Sequence, residues 1–75
     1  MGPSKTRIHN QIRTLRFHHR EMTQQALADQ IGVTRQTVNA IEGGKYSPSL
    51  EVAFRIAQVF KQPLENVFQY VAKPE

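Results

Sequence analysis

The stretch GVTRQTVNAIEGG, residues 32 to 44, places a run of polar side chains among three apolar residues spaced for burial. Val33, Val38 and Ile41 point one way, and Thr34, Arg35, Gln36, Thr37 and Asn39 must face something else. The chemistry open to them is hydrogen bonding to flat, edge-on partners. An arginine fork matches the O6 and N7 acceptors of guanine, and a glutamine amide matches N6 and N7 of adenine. Thr34 and Thr37 are short side chains suited to a phosphate oxygen or a thymine methyl. The competing explanation is an outer face that is simply solvated, and for this stretch alone that explanation would prevail. Its neighbours weigh against it. Gln24 and Gln25 open the preceding helix, whose first backbone amides can meet a phosphate, and Lys45, Tyr46 and Ser47 follow at the far end.

Other chemistry finds little footing. Serine, histidine and acidic residues occur, but not in a nucleophile–base arrangement, and no glycine-rich loop could cradle a nucleotide phosphate. The sequence therefore reads as a non-enzyme with no cofactor. His9, His18 and His19 are the histidines available to a metal. Adjacent residues on a helix point about 100° apart, unlike the i, i+4 pair that grips zinc, so no metal site is expected.

The elements that would position these groups are helical. A stripe of Ile8, Ile12 and Leu15 predicts a first helix over about 5–18, with Phe17 joining the core at its end. Thr23 is suited to cap a second helix, with Met22 stapled to Leu27 and with Leu27, Ala28 and Ile31 buried. Gly32 supplies the left-handed residue that ends it. Thr34 caps a third helix with Val33 and Val38 as its staple, and Gly43-Gly44 closes it. Two short helices joined through a tight Gly32-Val33 turn make a helix-turn-helix by spacing alone. Pro48 keeps Ser47 extended, and Ser49 caps a fourth helix from Leu50 to Phe60. That helix is apolar around most of its circumference, which suits a bundle centre or a second subunit. Pro63 starts a short fifth helix with Leu64, Val67 and Phe68 on one face. The expected class is all-α with five helices.

Seventy-five residues make one domain near the lower size limit for unaided folding. There is no cysteine to staple it, which suits a reducing compartment. No apolar run has the length of a membrane span and no signal-peptide pattern appears, so a cytoplasmic protein with no membrane partner is expected. The formal charge of +4 is uneven: Lys5, Arg7, Arg13, Arg16 and Arg20 precede the first acid, Glu21. Such a basic start hints at a polyanionic partner. Residues 1–5 read as a flexible segment or cloning remnant, 6–70 as the domain, and 71–75 as a tail. Leu64, Val67, Phe68, Tyr70 and Val71 gather apolar surface late in the chain and are expected to form a dimer interface.

The run MTQQALADQIGVTRQTVNAIEGGKYSPSLEVAFRIAQVFKQPLENVF strongly resembles the phage-repressor and Cro type of helix-turn-helix regulator, and the likeness extends over about residues 6–70. Within that family the chain is similar to compact, stand-alone bacterial regulators. The resemblance implies a repressor-like, sequence-specific DNA-binding domain that acts on double-stranded DNA as a homodimer at the nucleoid. It also implies that Gln24 meets DNA backbone, that Arg35, Gln36, Thr37 and Asn39 contact the groove, and that the loop Lys45 to Ser47 holds phosphates. Arg16 and Glu42 match positions that pair in many relatives. The chain departs from the pattern in the turn RFHHREM, which is one residue longer than in many relatives, and in Lys61, where glycine is common. Repression is favoured over activation, and no small-molecule effector is evident because no separate effector domain is present. Alternative readings are an antitoxin-like autorepressor and a bridging factor that uses the same fold to dock proteins.

Overall fold

Three hydroxyl side chains begin three helices in the computed structural model, which describes residues 6–72. Thr23 Oγ1 accepts from the Ala26 amide at 2.9 Å ahead of the helix Gln24–Ile31. Thr34 Oγ1 accepts from the Thr37 amide at 3.1 Å ahead of Arg35–Glu42. Ser49 Oγ accepts from the Val52 amide at 3.2 Å ahead of Leu50–Phe60. Each bond satisfies one of the amides that a helix start leaves without an internal partner.

In chain order the elements are β1 (Ile8–Asn10), α1 (Ile12–His18), α2 (Gln24–Ile31), α3 (Arg35–Glu42), α4 (Leu50–Phe60), α5 (Leu64–Val67) and β2 (Phe68–Tyr70). The expected flexible start at residues 1–5 and residues 73–75 of the expected tail lie outside the described residues.

Among the described residues there are five helices, and with them a two-stranded antiparallel sheet that the helical reading did not anticipate. The first helix starts at Ile12 rather than near residue 5, and the reason lies in Asn10. Its Oδ1 accepts from the Ile12 amide at 3.1 Å, a local bond that competes with helix continuation toward the N-terminus. Its Nδ2 donates to the Ile41 carbonyl at 3.0 Å, where the end of α3 has carbonyls to spare. The residues before Asn10 are thereby left extended, and Ile8, His9 and Asn10 pair with Tyr70, Gln69 and Phe68. The same pairing shortens α5 to four residues. Phe68 still packs against the core, but from a strand. Beyond the strand, the Val71 amide donates to the Arg7 carbonyl at 2.9 Å.

One core gathers all five helices: Ile12 from α1, Leu27 and Ile31 from α2, Val38 and Ile41 from α3, Ile56 and Phe60 from α4, and Val67 from α5. Met22 and Val33, the two staple residues, pack on its margin. Phe17 does not join it and is 62% exposed, its ring meeting His18 edge-on. His19 instead lays its ring edge-on against Phe60, with centroids 5.2 Å apart. Between α2 and α3, Gly32 takes φ of 79°, and the Arg55 guanidinium donates to the Ile31 carbonyl at 3.1 Å, closing the end of α2.

Among the described residues, three other than glycine hold left-handed backbone: Arg20 (φ 57°), Glu21 (φ 54°) and Lys61 (φ 55°). Arg20 and Glu21 lie in the turn between α1 and α2. Lys61 ends α4 where glycine would carry no steric cost. Lys61→Gly is expected to stabilise the protein by about 1 kcal/mol, read from the urea midpoint at unchanged slope. An unchanged or lower midpoint would mean that Lys61 is not strained.

Candidate nucleic-acid interface

The polar residues singled out above fall on α2, α3 and the loop after α3, and the structure divides them into free and engaged groups. Arg35 and Gln36 occupy the first turn of α3 and are exposed. Neither of the two ion pairs among the described residues involves Arg35 or Lys45, so no carboxylate competes for those cations. Asn39 lies four residues after Arg35 and shares its side of the helix. Gln24, at the start of α2, donates from Nε2 to Asn39 Oδ1 at 3.3 Å and to Glu42 Oε1 at 3.2 Å. The start of α2 and the outer side of α3 thus form one continuous polar surface.

Several of the other expected contact residues have internal duties. The Thr34 hydroxyl caps α3 and lies 3.0 Å from the Thr37 hydroxyl, which is itself half-buried. Gln25 Nε2 donates to Asp29 Oδ1 at 2.9 Å along its own helix. The Ser47 hydroxyl meets the Thr6 hydroxyl at 2.6 Å, pinning the loop after α3 to the segment before β1. Lys45 is exposed and its amide donates to the Ala40 carbonyl at 2.9 Å, so the loop leaves α3 in a defined direction. Gly44, with φ of 74°, makes that departure possible. Tyr46 is 43% exposed.

Beneath this surface Arg16 of α1 forks onto Glu42, the last residue of α3. Nε donates to Oε1 at 3.2 Å and Nη2 donates to Oε2 at 2.8 Å, with side-chain exposures of only 16% and 10%. The remaining branch, Nη1, donates to the Met22 carbonyl at 2.7 Å. The pairing implied by the family resemblance is therefore present. It also means that Arg16 does not contribute to an outward basic patch. Arg7 is similarly occupied, donating to the Ala72 carbonyl at 2.7 Å. Asn10 stands outside the residues expected to matter from the sequence, although an asparagine inside an apparent helix is itself a signal, because its side chain competes for backbone bonds.

The expected dimer residues do not all reach the surface. Val67 is fully buried in the core and cannot meet another molecule. Leu64 and Phe68 are half-buried and line a groove of about 300 Å³ with Ile8, Pro48, Leu50 and Ala53. Tyr70 is exposed and Val71 half-buried.

A helix-turn-helix with its polar side outward and its remaining helices packed behind it defines the class of protein. The chain belongs to the helix-turn-helix family (HTH_3), whose profile matches residues 12–66. An uncharacterized HTH-type transcriptional regulator of Methanocaldococcus jannaschii is 48% identical over 61 residues, spanning 81% of this chain and 91% of that one. The uncharacterized HTH-type transcriptional regulator YgzD of Bacillus subtilis is 44% identical over 59 residues, spanning 79% and 88%. The fold also matches the crystal structure of a "putative DNA-binding protein" from Bacteroides fragilis, with a TM-score of 0.71 at 21% identity, over 83% of this chain and 98% of that one. The chain is a member of a family of transcriptional regulators and not an enzyme.

Removing one member of a largely buried ion pair leaves the other charge without compensation. Glu42→Ala is expected to cost about 3 kcal/mol, seen as an early thermal transition. DNA binding should be lost only as the protein unfolds. Normal melting with lost binding would instead place Glu42 among the contact residues.

Proposed function

We propose that the protein binds double-stranded DNA sequence-specifically as a homodimer, lays α3 in the major groove, and represses transcription in the cytoplasm, at the nucleoid. The observation that carries this reading is the pair Arg35 and Gln36, exposed in the first turn of the second helix of the motif. In a helix-turn-helix the N-terminal residues of that helix meet base edges. Arginine and glutamine also carry the forked donor and donor–acceptor patterns that distinguish guanine and adenine. Lys45, exposed at the far end of α3, suits a phosphate. Repression requires only that the bound protein occupy its site, whereas activation requires a further surface for polymerase.

Support for the dimer comes from apolar residues that the monomer leaves in water. Leu50, Phe54 and Tyr70 are 68%, 51% and 66% exposed, and Leu50 borders the groove that Leu64 and Phe68 also line. Exposed apolar surface on this scale in so small a protein fits an interface. The buried Val67 supports it from behind without joining it. Two copies would then address half-sites about 34–36 Å apart on one side of the duplex. In sedimentation at micromolar concentration the wild type should run as a dimer and Phe54→Glu as a monomer. A wild-type monomer would remove the dimer from this reading.

Binding to a selected site, its single-base mutants and random duplex separates reading from attachment. Arg35→Ala or Gln36→Ala should each lose about 1–3 kcal/mol on the selected site and relax preference at one position per half-site. Lys45→Ala should weaken all sequences alike and lower the slope of log affinity against log salt by about one unit per lost contact. If no site is preferred over random duplex, a protein-docking role becomes the better reading.

A further inference from the structure

The hydrogen bonds beneath α3 have a direction, and that direction reaches the surface. A guanidinium can only donate and a carboxylate can only accept, so the Arg16–Glu42 pair leaves Glu42 Oε1 as an acceptor toward Gln24. Gln24 must therefore turn its amide nitrogen inward, since its oxygen would face a carboxylate. The second hydrogen on that nitrogen is directed at Asn39, which must answer with Oδ1. Were Asn39 reversed, two amide nitrogens would confront each other. The consequence is that Oδ1 of Asn39 is the atom turned toward Gln24, which leaves the Nδ2 end of the amide for a ligand at this exposed position on α3.

We propose that the Arg16–Glu42–Gln24 chain makes Asn39 a donor-only reader, one that selects a base presenting an acceptor in the major groove. This rests on the reading that α3 enters that groove. A free asparagine recognises adenine with both amide atoms, accepting from N6 and donating to N7. With its oxygen turned toward Gln24, Asn39 meets the groove through Nδ2, which opposes the adenine N6 amino group donor to donor and leaves adenine only N7 as a partner. Guanine, through O6 and N7, and thymine, through O4, satisfy its nitrogen. Cytosine presents an amino group and opposes it donor to donor. Gln24 is the positioning residue: with both amide hydrogens directed at Asn39 and Glu42, it acts on base choice through Asn39.

The test is site selection from a randomised duplex library, with relative base preference as the readout, so that changes in overall affinity drop out. Asn39→Ala locates the position by flattening its profile. There, the wild type should favour guanine or thymine over cytosine by on the order of tenfold. Asn39→Asp keeps an oxygen for Gln24 and turns a second one outward, so preference should move to cytosine or adenine. Gln24→Met removes the amide without removing its length. Asn39 can then reverse, and adenine should become a preferred base at the same position while all other positions stay as they were. Wild-type preference for adenine that Gln24→Met leaves unchanged overturns the proposal, as does a flat response to Asn39→Ala. Arg35→Ala and Gln36→Ala serve as controls. If they alter the profile while the Asn39 variants do not, the donor-only assignment fails and the groove reading stands. If none of the four alters it, the groove reading itself fails.

Discussion

The bidentate contact between Arg16 and Glu42 carries more of this fold than its size suggests, because α1 has little else to hold it. That helix has seven residues and buries only Ile12 completely. Apolar packing of one side chain, at about 1.5–3 kcal/mol, is a weak anchor for an element that must stay in register with α3. The guanidinium adds two bonds to α3 and a third to the Met22 carbonyl, fastening the end of α1, the following turn and α3 together. A lone arginine or glutamate at this depth would be costly, so the two charges need each other for solvation as much as for attraction. The other ion pair among the described residues, Glu51–Arg55, is exposed along one helix, and its arginine reaches the Ile31 carbonyl at the end of α2.

Polar bonds also explain why the strained parts of the chain persist. Arg20 and Glu21 lie in left-handed backbone directly beside this pair, in a turn closed by bonds from the His19 and Met22 amides to the Arg16 carbonyl. Arg16 thus holds the turn through its carbonyl as well as through its side chain. Asn10 does comparable work on the other side of α3, bonding the start of α1 and the Ile41 carbonyl at once. Residues from α1, β1 and α2 therefore converge on the last turn of α3. Its outer side is set by groups that are not on it, which is the arrangement expected where side-chain direction matters for recognition.

Much of this was legible from residue types in order. The caps at Thr23, Thr34 and Ser49, the turn at Gly32 and the buried stripes of α2 and α3 are local features, decided by hydroxyl reach, glycine's freedom at positive φ and helical period. The placement of Arg35 and Gln36 in the first exposed turn of α3 follows from the cap alone. Tertiary structure decided the rest. Ile8 to Asn10 and Phe68 to Tyr70 are too short to reveal themselves as strands, and the pairing that holds them side by side joins residues roughly sixty positions apart in the chain. Val67 looked like surface because helical period cannot tell which side of a four-residue helix meets the core. The direction of the Asn39 amide depends on three residues from two other helices and the end of its own. Sequence order determines where donors and acceptors occur along the chain; which of them remain unspent at the surface depends on distances between residues far apart in that order.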